Sequence, residues 1–391
     1  MSASESKIWK PLKLGNITLA HRIAMPPLTR FRNDDNHAPL PIMRQYYSDR
    51  ASTPGTLVIT EATGVSPAAE GDANLPGIST PEEVEGWSKV YEAVHAKGSY
   101  IFQQLWDLGR ASNPAYVKGR GYKYASSSNQ QMEGRPEPPE PLTEDEIWQK
   151  IAEFRNAAKN VIAAGGDGVE IHGAHGYLVD QFTRDSVNSR TDQWGGSVEN
   201  RARFLLEIVK AVVEEVGAEK TALRLSPFAT FQGSYSTDTW KQTGYIISEL
   251  KKAGYKLAYL SLVEPRGNPI HLGIAPQQPT DSVQPFQQQE QSLKFILEEW
   301  DNQSPVMVAG AYTPSSAAQA LDENYSKWDV MVAFGRYFIS NPDLVFRVKN
   351  GVPLTPYDRT KFYVNKSNAG YNDYAFSEEF LKGNEEVVAH A

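Results

Sequence analysis

Eight segments with the apolar, β-branched character of strands recur along the chain, and segments with helical periodicity separate most of them. This alternation predicts right-handed crossovers and a parallel sheet, which define an α/β fold. Eight such units favour a TIM (β/α)8 barrel. A doubly wound sheet is the alternative, but no Gly-x-Gly-x-x-Gly turn follows any strand. The predicted strands are residues 22–28, 56–62, 99–106, 167–171, 221–227, 257–264, 305–310 and 330–336.

The chain is longer than a usual domain, but its 391 residues suit one barrel with insertions. We therefore predict a single domain with the barrel over about residues 20–350 and a C-terminal extension over about 351–391. Alternating residues around Gly15 predict a hairpin that could plug the bottom of the barrel. Two excursions, at about 108–141 and 265–291, interrupt the pattern. Loops of this length are commonly lids or binding loops, although a surface insertion without a role is the alternative for the first.

Composition and charge exclude several classes of protein. There is no cysteine, so disulfides and thiolate metal sites are excluded. The net charge of -8 argues against a generic nucleic-acid surface. No run of about 18 apolar residues predicts a transmembrane helix, and the polar N-terminus lacks the apolar core of a signal peptide. We therefore expect a cytoplasmic enzyme with no nucleic-acid or membrane partner.

Imidazole and phenol groups are concentrated just after the fourth predicted strand, where His172, His175 and Tyr177 lie within six residues. The carboxyl ends of barrel strands usually hold the catalytic groups. Two imidazole N–H donors aimed at one point could stabilise negative charge on a carbonyl or nitro oxygen, and a phenol could supply a proton. A pair of structural histidines remains an alternative. So does a metal site, although two imidazoles without a clear third ligand indicate zinc only weakly.

The seventh and eighth predicted strands both end in glycine, at Gly310 and at Gly335, which Arg336 follows. In TIM barrels the loops after these strands commonly form a phosphate site. Glycine allows backbone N–H groups to approach a phosphate, and an arginine can bind it with two hydrogen bonds. The alternative is a turn glycine beside a surface arginine, but two glycines at the expected strands favour phosphate.

Polar residues also occur within or just after apolar strands: Thr29, Gln104 and Arg224. Arg224 should not be buried without a partner, so it could contact an anionic ring or phosphate, or form an internal ion pair. Taken alone, the ion pair is favoured. Gln104 and Thr29 could hydrogen-bond a flat polar ligand or simply cap the barrel.

Longer motifs resemble the old yellow enzyme family, FMN-dependent ene-reductases and NADPH dehydrogenases built on a TIM barrel. The resemblance extends from about Trp9 to Tyr374 and includes YDRTKFY at residues 357–363. Its most specific parts are MPPLTRFR at residues 25–32, HGAHGYLVDQF at 172–182, RTDQWGGSVENRARF at 190–204 and FGRYFISNPDL at 334–344.

The resemblance implies the residues that bind FMN. Thr29 would hydrogen-bond the flavin, and Arg224 would lie near its pyrimidine edge and stabilise the reduced anion. The glycines after strands seven and eight, with the arginine that follows, would hold the phosphate. The implied FMN-binding residues are Pro27, Leu28, Thr29, Ala62, Gln104, Arg224, Gly310, Gly335 and Arg336.

The resemblance also implies a catalytic set. His172 and His175 would bind the electron-withdrawing oxygen of the substrate, and Tyr177 would be the proton donor. Trp106 and Tyr371 would shape the substrate pocket. The implied reaction is a two-step, ping-pong reduction of an activated alkene by NADPH or NADH through FMN. The substrate would be an α,β-unsaturated aldehyde, ketone or nitroalkene, and the enzyme a monomer or homodimer.

Two positions depart from the pattern of the family. His175 stands where many members have asparagine, and Asp72 where some have an aromatic residue in the pocket. The two excursions also match less well, so the substrate is the least constrained inference. The alternatives are a reductase or isomerase dedicated to one secondary metabolite, a metal-dependent barrel hydrolase, and a flavin-binding protein without turnover.

Overall fold

The structure, a computed structural model, describes residues 6–265 and 291–389. For residues 384–389 it describes the backbone only. The predicted excursion at about 265–291 therefore lies outside the described residues, apart from its two ends. Within the described part of the chain, no helix is both long and apolar enough to cross a membrane.

Eight parallel strands form a closed barrel. Each strand pairs with the next one along the chain, and β8 pairs with β1, so the sheet has no open edge. The predicted TIM barrel is thus confirmed, and the doubly wound alternative is wrong because that sheet would stay open. The strands are β1 Ile23–Met25, β2 Leu57–Ile59, β3 Tyr100–Trp106, β4 Gly168–Gly173, β5 Thr221–Leu225, β6 Tyr259–Val263, β7 Val306–Ala309 and β8 Val330–Ala333.

Helices lie between the strands and begin where the sequence provides caps. Thr80 and Thr143 each form a capping box with a glutamate three residues later, and the Ser197 hydroxyl accepts from the N–H of Asn200. The longer helices are Pro41–Arg50, Pro81–His95, Glu144–Ala163, Val198–Val216, Thr239–Lys252 and Glu378–Ala389. The shorter ones are Pro114–Gly119, Leu178–Thr183, Lys294–Trp300, Pro314–Gln319, Gly335–Ser340 and Leu344–Asn350.

The predicted hairpin closes the bottom of the barrel. Its strands, Leu12–Leu14 and Ile17–Leu19, pair in antiparallel fashion, and Leu14 and Leu19 are buried against apolar side chains inside the barrel. Gly15 occupies the turn with a φ of +49°, and a Cβ at this position would approach the carbonyl oxygen of Glu219 to 1.9 Å. Glycine is therefore required here, because any side chain would push the hairpin off the barrel.

The excursion at 108–141 is anchored over the opposite end of the barrel. The Arg120 guanidinium lies 2.7 Å from Glu70, which also lies 3.1 Å from His37 Nε2. The Tyr124 hydroxyl donates to the carbonyl oxygen of Arg110 at 2.6 Å. These buried and half-buried contacts hold the segment as a wall above the carboxyl ends of the strands.

Three buried arginines anchor the C-terminal extension. Arg30, Arg32 and Arg50 donate to the carbonyl oxygens of residues 370, 369 and 371, at 2.6, 2.8 and 3.0 Å. The ring of Tyr371 stacks on that of Tyr46, with centroids 3.9 Å apart. Because charge-assisted hydrogen bonds to buried carbonyls are strong, the path of the extension back to the barrel is well determined.

Candidate active site

Two adjoining cavities, of about 260 and 440 Å³, lie at the carboxyl ends of the strands. The smaller one lies over β7 and β8, and the larger one extends toward β3 and β4. Because several residues border both, the cavities form one elongated site, which suits a long ligand with chemically different ends. The shared lining residues are Pro27, Leu28, His175, Arg224 and Arg336.

His172, His175 and Tyr177 all line the larger cavity. The ring centroid of His172 lies 5.8 Å from that of His175 and 5.0 Å from that of Tyr177. Trp106 completes the group, 6.1 Å from His172 and nearly parallel to it, and 4.6 Å from Tyr177. The sequence cluster is therefore also a spatial cluster, with two imidazoles and a phenol around one space.

The turn after β4 brings the second histidine back toward the first. His175 has a φ of +57°, a left-handed conformation that is costly for a residue with a Cβ. Its backbone N–H donates to Ser226 Oγ at 2.8 Å, and the next N–H, of Gly176, donates to Asp180 Oδ2 at 2.9 Å. These two hydrogen bonds hold the strained turn in place.

Both imidazoles are neutral hydrogen-bond donors at ordinary pH. Burial, followed by the charges of His175 and Arg224, lowers the pKa of His172 well below its usual range. Burial, followed by the charges of Arg224 and Arg184, lowers the pKa of His175 to about 3. The Nδ1 atom of His172 accepts the N–H of Ala174 at 3.3 Å, so the proton of the neutral ring lies on Nε2.

The phenol of Tyr177 stays protonated. Burial, and then the neighbouring Tyr363, raises its pKa to about 12. The hydroxyl therefore carries a proton throughout the physiological range and can donate it to a substrate in the same cavity.

A hydrogen-bonded network lies below the histidines. Gln104 Nε2 donates to Glu170 Oε1 at 2.7 Å, and Arg224 Nη1 lies 4.0 Å from the same oxygen and donates to Ser261 Oγ at 3.0 Å. The sequence favoured an ion pair or a ligand for Arg224, and the structure has both a loose ion pair and a place on the cavity wall.

This network leaves donors and an acceptor for a ligand. Among the described residues, nothing accepts from Arg224 Nε or Nη2, and nothing donates to Gln104 Oε1. The pyrimidine edge of a flavin offers carbonyl oxygens beside an N–H group, which matches these unused atoms. The residues at this end of the site therefore fit the ring of FMN.

The smaller cavity has the character of an anion site. Gly310 and Gly335 line it, and a Cβ on Gly335 would contact only side chains of the loop after β1, at 3.5 Å or more. Arg336 also lines the cavity, with its guanidinium 5.1 Å from the ring of Tyr357. Glycine backbone at the cavity wall and a guanidinium together fit the FMN phosphate.

The remaining predicted residues fall on the larger cavity, with one exception. Thr29 and Ala62 line it beside Gln104 and Trp106, and so does Asp72, at the position where the sequence departs from the family. Tyr371 borders neither cavity. It is fully buried, with its ring covered by Tyr46 on one side and its backbone bound to the anchoring arginines. This placement corrects the predicted role of Tyr371 in shaping the pocket.

Several lining residues were not identified from the sequence. From the C-terminal extension, Phe362 and Tyr363 line the larger cavity in place of Tyr371. Arg135 comes from the 108–141 wall, and Phe231 and Gln232 come from the loop after β5. None lies at a strand end, which was the signal that identified the other residues. The YDRTKFY motif at 357–363 was the one available clue, because it contains both C-terminal aromatics.

The described residues contain no group of three His, Asp or Glu side chains placed to hold a metal ion. In particular, the neighbours of His172 and His175 in the cavity are Trp106, Tyr177 and Arg224. A guanidinium repels a cation, so these surroundings suit an oxyanion better than a metal ion.

The buried His172 gives stability a defined pH dependence. The unfolded chain takes up a proton on this ring below about pH 6.5, whereas the folded protein keeps it neutral. Below this pH the unfolded state binds more protons than the folded state. The free energy of unfolding therefore decreases as the pH is lowered, by up to about 1.4 kcal/mol per pH unit for this one ring. We expect His172→Gln to remove this contribution, equivalent to about one proton, from the slope measured by urea denaturation between about pH 6 and 5. Equal slopes would show that His172 is charged in the folded protein.

Similarity to known proteins extends over nearly the whole chain. The family model described as "NADH:flavin oxidoreductase / NADH oxidase family" matches residues 7–355. A chanoclavine-I aldehyde reductase from Penicillium roqueforti (strain FM164) is 50% identical over 378 residues, 96% of this chain and 98% of the relative. An old yellow enzyme from Pichia sp. AKU4542 has a TM-score of 0.84 and 40% identity, covering 96% of this chain and 95% of its own. A morphinone reductase in complex with tetrahydroNAD has a TM-score of 0.83 and 36% identity, covering 95% and 98%.

Proposed function

Since the chain belongs to the NADH:flavin oxidoreductase / NADH oxidase family and is an FMN-dependent oxidoreductase, we propose that it reduces the C=C bond of activated alkenes with NADPH or NADH. The activating group is an aldehyde, ketone or nitro group. The observation that carries this proposal is the convergence of two neutral imidazole donors and a protonated phenol on one cavity.

The histidines act on the oxygen of the substrate. His172 donates through Nε2, and His175 supplies a second N–H from the other side of the turn. Their hydrogen bonds strengthen as negative charge develops on the oxygen, which makes the β-carbon of the alkene electrophilic. Because both rings are neutral, they stabilise this charge without giving up a proton to the oxygen.

Tyr177 completes the reaction on the substrate. When bound, FMN supplies the chemistry of hydride acceptance from the nicotinamide and hydride delivery to the β-carbon. The α-carbon then needs a proton, and the hydroxyl of Tyr177 is held in the same cavity as the two imidazoles. The alkene thereby gains one hydride and one proton, and the phenol recovers its proton from solvent.

The FMN would be held at both ends of the elongated site. Gln104 and Arg224 would bind the ring through their unused acceptor and donors, with Thr29 beside them. Gly310, with Arg336 at the start of the last barrel helix, would bind the phosphate. The pocket over the ring is bordered by Trp106, Tyr363 and the other aromatics, which suit a flat, apolar substrate.

A second candidate function is the reduction of one dedicated biosynthetic aldehyde. The Penicillium relative at 50% identity is named a chanoclavine-I aldehyde reductase, which supports an aldehyde as the activating group here. A half-buried carboxylate at Asp72 and a guanidinium at Arg135 border the substrate cavity, and such groups would select among larger polar substrates.

Product analysis tests the proposal. With FMN, NADPH and cinnamaldehyde, we expect the saturated aldehyde, because the histidines activate the β-carbon and leave the carbonyl intact. The allylic alcohol as main product would contradict C=C reduction.

The kinetics on simple enals distinguish the two candidate functions. A kcat/KM of about 10⁴ M⁻¹s⁻¹ or more supports the reduction of activated alkenes in general. A much lower value, with NADPH oxidation intact, supports the dedicated one. A metal-dependent hydrolase would lose its activity to a chelator. A rate of alkene reduction that a chelator leaves unchanged would therefore exclude this alternative.

A further inference from the structure

A buried carboxylate lies directly below the cluster of His172, His175 and Tyr177 and has no role in the function proposed above. Glu170 is in the middle of β4 and is completely buried. Alternate residues of a strand face the same side, so Glu170 lies one layer below His172, inside the barrel. Isolated charges are costly in such a place, so its contacts should explain why it is there.

One oxygen of Glu170 is shared by the two polar residues that would bind the flavin ring. Oε1 accepts from Gln104 Nε2 at 2.7 Å, and it lies 4.0 Å from Arg224 Nη1. Gln104 is the register partner of Glu170 on β3, and Arg224 is the register partner of His172 on β5. The carboxylate thus links three neighbouring strands below the site.

The first consequence concerns the amide of Gln104. An amide can present either its NH₂ group or its oxygen to a ligand, and the two choices recognise opposite partners. Because Glu170 can only accept when ionised, it takes the NH₂ group of Gln104. The amide oxygen is then left as an acceptor, on a side chain that lines the larger cavity.

The second consequence concerns charge. Burial raises the pKa of Glu170, and the guanidinium of Arg224 opposes this increase. In its ionised form, which the guanidinium 4.0 Å away favours, the carboxylate offsets part of the positive charge that Arg224 brings to the cavity. The flavin ring gains negative charge when it is reduced. The positive charge of Arg224 stabilises this reduced ring less when Glu170 is ionised beside it.

We propose that Glu170 is a positioning residue of the flavin site. It orients the Gln104 amide as an acceptor and, by offsetting the charge of Arg224, keeps the midpoint potential of the bound flavin more negative. This inference rests on the proposed function, because it concerns how tightly oxidised and reduced FMN bind. A purely structural role, such as neutralising Arg224 during folding, would leave the potential of the bound flavin unchanged.

Two substitutions separate the hydrogen bond from the charge. Glu170→Gln keeps an oxygen that can accept from Gln104 but removes the charge. We expect its FMN dissociation constant to stay within about threefold of wild type, and its midpoint potential to become more positive. Glu170→Ala removes both, and we expect its FMN dissociation constant to rise at least about tenfold, because the amide loses its orientation. Flavin fluorescence on adding FMN to apoprotein and a spectroscopic redox titration measure the two effects.

The control is Asp343→Asn. Asp343 is also buried and ion-paired, with Arg347 at 2.7 Å, but it borders neither cavity. We expect it to leave both FMN affinity and potential unchanged. An unchanged or more negative potential in Glu170→Gln would overturn the proposal, even if Glu170→Ala did not fold. Wild-type protein that binds no FMN, or bound FMN that neither NADPH nor NADH can reduce, would instead contradict the proposed function, so the two failures can be distinguished.

Discussion

Replacing Tyr177 with phenylalanine is expected to slow alkene reduction by about 100- to 10,000-fold, the usual contribution of a positioned general acid. The substitution removes one hydroxyl and leaves the ring, which packs 4.6 Å from Trp106 and 5.0 Å from His172. The rate at which NADPH bleaches the flavin should change by less than about threefold, because that step needs no proton from the phenol. Stopped-flow measurement of the two half-reactions under anaerobic conditions distinguishes them.

A matched control comes from the same cavity. Tyr363→Phe also removes a hydroxyl from the lining, but Tyr363 is 53% exposed and lies in the C-terminal extension. We expect it to reduce alkenes within about fivefold of wild type, since it loses at most one modest hydrogen bond. If Tyr177→Phe slowed both half-reactions equally, or Tyr363→Phe slowed alkene reduction as much as Tyr177→Phe, the proton donor would have to be reassigned.

Replacing both His172 and His175 with alanine is expected to weaken the binding of phenols by about 100-fold or more. A phenolate resembles the polarised oxygen of the substrate, and each hydrogen bond to a charged group contributes about 1.5 to 3 kcal/mol. Alkene reduction should fall by a similar or larger factor, as it does when donors to an oxyanion are removed from other enzymes. Titration of the visible absorbance with a simple phenol measures the affinity directly.

Conservative and distant variants make this result specific. His175→Asn keeps an N–H donor, and we expect it to bind phenols within about tenfold of wild type. His95→Ala removes a histidine on the outside of the barrel, paired with Asp167 at 2.8 Å, and should leave phenol affinity unchanged. Phenol affinity that survives the double substitution would rule out the two imidazoles as the oxyanion site.

The barrel and the cavity at the carboxyl ends of its strands could be predicted because their signals are local. Each barrel strand is a short apolar run, and the residues just after it lie at the carboxyl end of the sheet. His172 and Tyr177 were identified in this way, and so were Arg336 and the glycines before it. The capping box at Thr143 and the turn at Gly15 are likewise written into a few neighbouring residues.

The C-terminal part of the site could not be predicted in the same way. The segment after about residue 351 has no strand or long helix before Glu378–Ala389, so no periodicity shows which side chain faces the barrel. Its path is set by carbonyl oxygens that bind Arg30, Arg32 and Arg50, and any residue can supply a carbonyl. This is why Tyr371 was placed in the pocket by resemblance, whereas Tyr363 lines it in the structure.

Loop residues were missed for a related reason. Arg135 and Gln232 reach the cavity from connections whose course depends on distant contacts, such as the ion pair between Arg120 and Glu70. Glu170 was missed because a single acidic residue in a strand gives no indication of its partners. Only the register of β4 with β3 shows that Gln104 lies opposite it.

The visible absorption spectrum of the purified protein, before and after anaerobic addition of NADPH, tests the central assignment most directly. We expect a yellow protein with about one FMN per chain, whose visible band NADPH bleaches and an α,β-unsaturated aldehyde then restores. A colourless protein that takes up no added FMN, or bound FMN that neither NADPH nor NADH can reduce, would contradict the account.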